Sequence, residues 1–197
     1  MVLVALGLGG VVAFAARRND DLAAGEVRVT EIAGSASVVA AATGDTPLVV
    51  GMTLRQGTTL RTESASRAKL EFSDGTIVEM AADTEWGVEE FTHESAPGGE
   101  HPVSKTKLRF DRGELEIQVV PIDFQRGAKF QVETPAGTAS IRGTTFRVTL
   151  RPLADGTGAF ALSVSEGMVG FFSKDGKTVR YASPNRPFSV KVPNFAP

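Results

Sequence analysis

The chain has 197 residues, 42% hydrophobic and 22% charged, which suits one globular domain with a real core and excludes disorder as its general state. It has no cysteine, so packing must hold the fold without disulfides or a thiolate-bound metal. The net charge of −2 excludes a generally basic nucleic-acid-binding surface, although nine acids and no Lys or Arg fall between Leu70 and Ser104.

Residues 2–16, VLVALGLGGVVAFAA, are all apolar or Gly, and Arg17 and Arg18 follow at once. They read as a short apolar N-terminal helix, a membrane anchor or signal segment over residues 1–18, with a linker over 19–25. The run is shorter than the ~20 residues that span a hydrocarbon core. Ala13-Phe14-Ala15 resembles an A-x-A cleavage site, so signal peptide and signal anchor both stay open. Taken literally, the positive-inside rule puts Arg17, Arg18 and the following domain in the cytoplasm. An internal start at Met1 that has lost a basic leader would account for both the short run and the missing charge before it.

From residue 26 to 197 a period-2 alternation predicts half-buried strands. It runs through Val27 and Val29; Leu48, Val50, Met52 and Leu54; Ala68, Leu70 and Phe72; and Leu115, Ile117 and Val119. It resumes at Phe130 and Val132, at Phe146, Val148 and Leu150, at Phe160, Leu162 and Val164, and at Phe188, Val190 and Val192. Turns are expected at Gln56-Gly57, Asp74-Gly75, Arg112-Gly113, Asp155-Gly156 and Asp175-Gly176. KLEFSDGTIVEM reads as a hairpin by itself, and THESAPGGEHPVSK, residues 92–105, reads as one long loop. Many short strands with turns about every ten residues predict an all-β fold of two packed sheets, sandwich-like or a rolled solenoid.

In TPAGTASIRGTTFRV, residues 134–148, the apolar parity changes between Ile141 and Phe146. Gly143, beside Thr144 and Thr145, is the residue best able to absorb a bulge or bend, and Pro135 restricts Thr134 to an extended conformation. Arg142 then sits at the kink. Either its guanidinium satisfies groups that the kink leaves unpaired, or it faces outward toward an anionic ligand or partner.

VETPAGTASIRGTTFRV resembles the signature of the FecR domain, the extracytoplasmic module of a family of bacterial transmembrane regulators. The likeness extends to Gly34, Ala36 and Val38, to PLVVGMTLRQGTTLRTESASRAKLEFSDGTIVEM (47–80), to LRFDRGELEIQV (108–119) and to FALSVSEGMVGFF (160–172). It covers residues 26–182, with Thr134, Pro135, Gly143, Thr144 and Phe146 as structural motif residues. The resemblance implies an all-β periplasmic or otherwise extracytoplasmic domain, held at the inner membrane and signalling through protein contacts. No anti-sigma segment precedes the apolar run and no second periplasmic subdomain follows residue 182, so a stand-alone FecR-like domain is expected rather than a direct anti-sigma factor.

Enzyme signatures are missing: the sequence has no G-x-S-x-G elbow, phosphate loop or H-E-x-x-H, and only two His. His93-Glu94 and Glu100-His101 form a mirrored pair of metal-ligand types, but nothing near them fixes a geometry, and no metal or cofactor is expected. Arg142, Arg147, Glu85, Trp86, Glu89 and Glu90 are the candidate partner- or ligand-binding residues. Trp86 among acids would anchor a basic partner if exposed, whereas its phase with Val88 favours burial. The expected function is a non-catalytic binding or scaffolding module with protein partners, with a membrane contact through residues 2–16 and no nucleic acid. A structural subunit of an envelope assembly is the alternative, and a carbohydrate-binding module is more distant.

Overall fold

The computed structural model describes residues 22–40, 44–94 and 101–195, which contain strands, turns and irregular chain but no helix. The apolar segment 2–16 and the expected N-terminal helix lie outside the described residues. Among the described residues no helix is long and apolar enough to cross a membrane.

The strands are β1 (Ala23–Ala24), β2 (Val27–Ala33), β3 (Ala36–Val39), β4 (Thr46–Pro47), β5 (Thr53–Leu54), β6 (Thr59–Thr62), β7 (Arg67–Phe72), β8 (Ile77–Met80) and β9 (Glu85–Glu94). They continue as β10 (Val103–Gln118), β11 (Lys129–Thr134), β12 (Gly137–Ile141), β13 (Thr145–Pro152), β14 (Gly158–Glu166), β15 (Val169–Ser173), β16 (Val179–Ala182) and β17 (Phe188–Val192). One layer runs β4-β3-β6-β9-β10-β11-β12-β15-β16, with β1 beside the far end of β9. The other runs β5-β2-β7-β8-β10-β13-β14-β17. β10 belongs to both, pairing with β9 and β11 in its first part and with β8 and β13 from Gly113 onward. The result is a sheet rolled over one shared strand into two layers, with β10–β11 the parallel pair.

Side-chain alternation explains the core. β7 reads exposed, buried, half-buried, buried, exposed, buried, because successive residues of a strand point to opposite faces. Rings from the two layers meet between them: Phe72 against Trp86 (6.5 Å between centroids) and Phe91 (4.9 Å), and Phe160 against Phe171 (5.1 Å). Fully burying a large apolar side chain contributes about 1.5–3 kcal/mol, so these rings dominate cohesion in a protein without disulfides.

A chain that passes between layers leaves the ladder, and its backbone groups need other partners. Near one margin Ser and Thr hydroxyls supply them. Ser66 Oγ accepts from Ser35 N–H (2.9 Å), Thr62 Oγ1 accepts from Thr84 N–H (3.2 Å), and Thr84 Oγ1 accepts from Glu114 N–H (3.0 Å). β10 changes layers beside them at Gly113, whose φ is +93° and where a Cβ would strike the Thr84 backbone.

The structure corrects four expectations. Arg112-Gly113 is a bend inside β10 rather than a turn. Val50 lies exposed in a turn between β4 and β5, where half-buried alternation was expected. Residues 92–94 and 103–105 pair as β9 and β10, so the connection is shorter than the loop drawn over 92–105. Ala23–Ala24, within the expected linker, pairs with β9. At Arg112-Gly113, at residues 92–94 and 103–105 and at Ala23–Ala24 the neighbouring strand, not the local sequence, satisfies the backbone.

Candidate partner-binding surfaces

The TPAG segment closes the β11–β12 hairpin. Thr134 Oγ1 accepts from Ala136 N–H (3.1 Å) and Gly137 N–H (3.2 Å) and donates to Gly137 O (2.9 Å), while Pro135 occupies a position that needs no donor. β12 lies in one layer and β13 in the other, so Ile141 and Phe146 enter the same core from opposite sides. The parity change is this crossing. Gly143 makes it at φ +57°, with a Cβ position 3.2 Å from Pro121 Cα, and Thr144 O accepts from Val119 N–H (3.0 Å). The returning chain crosses alongside at Gly167 (φ +84°), which packs on the Thr144 side chain.

Arg142 is exposed, and its guanidinium lies 4.5 Å from the centre of the Phe124 ring. It therefore does not satisfy buried carbonyls at the kink: of its two readings the outward-facing one matches the geometry, with a cation–π contact holding the side chain. Thr144 Oγ1 is buried without a hydrogen-bond partner.

The acidic run is compensated in space. Glu85 accepts from Arg61 Nε and Arg112 Nη2, both at 3.1 Å, and Lys107 bridges Glu89 (3.1 Å) and Glu133 (2.9 Å). Those two carboxylates hold the Lys107 ammonium above its ordinary value. Glu90 is exposed. Trp86 has no exposed surface; it stacks on Phe72 and donates from Nε1 to Met80 Sδ (3.3 Å). Burial removes it as a surface anchor and as a sugar-stacking platform. Arg147 lies on the outer face of the second layer, paired with Glu116 and Glu114, and the Glu116 carboxylate raises its pKa. The six chosen residues thus fall into three places, the crossing, the outer face of the first layer and that of the second, apart from the buried Trp86.

His93 stacks on Phe91, and its Nε2 lies 2.8 Å from Ser73 Oγ. Among the described residues no group of three or more His, Asp or Glu could hold a metal ion; Glu100 lies outside them.

Sequence reasoning missed the C-terminal margin. Phe172, Val179 and Tyr181 are 46%, 47% and 65% exposed on β15 and β16. A cleft of about 760 Å³ opens nearby between the β11–β12 turn, β15–β16 and the end of β17, its apolar wall including Ala136, Phe171 and Val192 and its rim Lys174, Arg180 and Lys191. The available signal was FFSKDGKTVRY, where apolar residues fall in both phases of the alternation.

The fold is a two-layer β domain whose rolled sheet carries cross-strand ion pairs outside and has an open apolar margin. The FecR protein family model matches residues 58–170, more than half of the chain, and this chain belongs to the FecR family. The match lies inside the 26–182 span of the resemblance read from sequence. Two crystal structures of a candidate anti-sigma factor from Parabacteroides distasonis, at 2.50 and 1.65 Å, resemble it with TM-score 0.52, at 20% and 21% identity. Each comparison covers 71% of this chain and 57% of the other, so the chain spans little more than half the length of these neighbours. The likeness is one of fold. No curated protein matches the chain.

Proposed function

We infer that this chain is a non-catalytic, extracytoplasmic FecR module that takes part in envelope signalling through protein contacts and is tethered through residues 2–16. Membership of the FecR family, a family of membrane-associated regulators, carries the reading. The description of the structural neighbours as candidate anti-sigma factors supports it. Of the sequence-chosen contact residues, Glu89, Glu90, Arg142 and Arg147 are exposed; Glu89 and Arg147 are held in ion pairs, and among the described residues no ion pair engages Arg142 or Glu90. Crosslinking the full chain in intact cells and recovering it from membranes tests the reading. A sigma-type regulator or receptor is the expected catch, whereas stoichiometric recovery within one large assembly would replace signalling by a structural subunit. A reporter fused after Pro197 should be active only outside the cytoplasm, and cytoplasmic activity would overturn the placement.

A further inference from the structure

We propose that the free edge of β16 takes up an acidic, extended segment of a partner protein as an added strand; this names the contact surface of the module inferred above and rests on that inference. The backbone supplies the first argument. Ser173 N–H donates to Thr178 O (2.9 Å), and the register continues as Phe171↔Arg180 and Val169↔Ala182. Because antiparallel pairs alternate in their hydrogen bonding, Arg180 and Ala182 turn their backbone groups toward β15, and Val179 and Tyr181 turn theirs away. Among the described residues β16 pairs with β15 alone. The outward donors and acceptors of Val179 and Tyr181 therefore form a template for a further strand.

Side chains flank that template. Phe172 stands opposite Val179, and the Tyr181 ring lies 3.6 Å from the Cβ position of Gly170, so an apolar step borders the open edge on the outer face. Edges are usually blunted, and β1, β4 and β5 are two-residue strands, with Pro47 in β4. β16 is instead longer and bordered by exposed apolar groups.

Charge selects the occupant. Lys174, Lys177, Arg180 and Arg186 surround β16, and among the described residues no ion pair engages them; Asp175 is turned to Ser173 Oγ (2.6 Å) and Lys177 N–H (3.1 Å). Arg180 rests over the Phe188 ring, 5.7 Å from its centre. Pairing β16 with β16 of a second copy would bring Lys177 and Arg180 of both copies together, which like-charge repulsion opposes. An acidic segment meets the opposite sign and finds backbone partners and an apolar ledge at once.

The test uses the full chain and a fluorescent peptide alternating Glu with Val, beside a Lys-for-Glu peptide and one N-methylated at alternate residues. Binding is read by anisotropy. The wild type should bind the acidic peptide alone. Lys177→Glu with Arg180→Glu should weaken binding about tenfold or more, an effect that shrinks in salt. Val179→Pro removes an outward donor that β15 does not use, and should abolish binding while leaving the melting temperature near wild type. Equal binding of the three peptides, or unchanged binding by folded Val179→Pro, overturns the proposal. If Val179→Pro does not fold, the charge-reversed double variant decides in its place. Recovery of a signalling partner from membranes by a variant that no longer binds peptide would sink this surface and leave the proposed function standing. Peptide binding without any signalling partner would do the reverse.

Discussion

Across the body of the domain, bases stand against acids on neighbouring strands: Arg61 and Arg112 on Glu85, Lys69 on Glu79, Lys107 on Glu89 and Glu133, Arg147 and Arg151 on Glu114. Along β15 to β17, where Lys191 of β17 pairs with Asp155, Arg180 of β16 and Lys174, Lys177 and Arg186 in the adjoining connections have no such opposite number among the described residues, next to exposed Phe172, Val179 and Tyr181. The first arrangement completes itself. Exposed ion pairs contribute only about 0–1 kcal/mol each, so their effect is to leave a wet, neutral face with little to offer a partner. The second leaves charge, apolar area and backbone groups unmet, which is the condition for binding something else.

The contrast can be broken most severely in the core of the body. Trp86→Ala should cost about 3–5 kcal/mol, because it removes a fully buried ring that packs on Phe72. Chemical denaturation measures it, and a loss below about 1 kcal/mol would mean that the two layers do not cohere through these rings.

Glycines at the layer crossings come next. Gly113→Val should destabilise by about 1–3 kcal/mol or more, and Gly143→Val by about 1–3 kcal/mol, since both place a β-branched residue at positive φ. The first should be worse, because its Cβ meets Thr84 backbone whereas that of residue 143 meets Pro121 at 3.2 Å. Thermal melts rank them, and an unchanged melt for Gly143→Val would remove the bend argument.

Smaller still, Arg142→Ala should cost no more than about 1 kcal/mol, the scale of an exposed cation–π contact, because it leaves no buried acceptor unpaired. If its melt falls as far as that of Gly143→Val, Arg142 supports the crossing after all. Charge reversal at Lys177 and Arg180 should leave stability within about 0.5 kcal/mol while weakening peptide binding about tenfold or more, the separation expected of an interaction margin.

The smallest effect is a pH dependence. Asp155 is lowered from its ordinary 3.8 to about 2 by hydrogen bonds from Lys191 and Thr157, tying the β13–β14 turn to β17. A depressed carboxylate contributes stability above its unfolded value and loses it as pH falls through the folded one, so the contribution should be complete above pH 3.8 and vanish toward pH 2. Lys191→Ala should flatten the melting temperature across that window, and an unaltered acid profile would show that the pair does not hold β17.

Strand content, the β7–β8 hairpin and the Asp-Gly turns were legible in sequence because they depend on neighbours in the chain. Asp74, Asp155 and Asp175 each accept from the N–H two residues on, at 3.0 to 3.1 Å, as the turn chemistry requires. The parity change at Gly143 was legible for the same reason, and the motif around it marked the family. What the parity change meant was not, since crossing between layers is a relation among strands distant in sequence. Gly113 looks like every other turn glycine until Thr84 lies beneath it. Likewise the acidic run from Leu70 to Ser104 looks like a charged face until bases such as Lys107 and Arg112 are set beside it by β10. Sequence fixes which side of a strand is apolar, through the two-residue period. Only the tertiary structure decides which strand lies alongside, and so which charges are cancelled and which edge is left open.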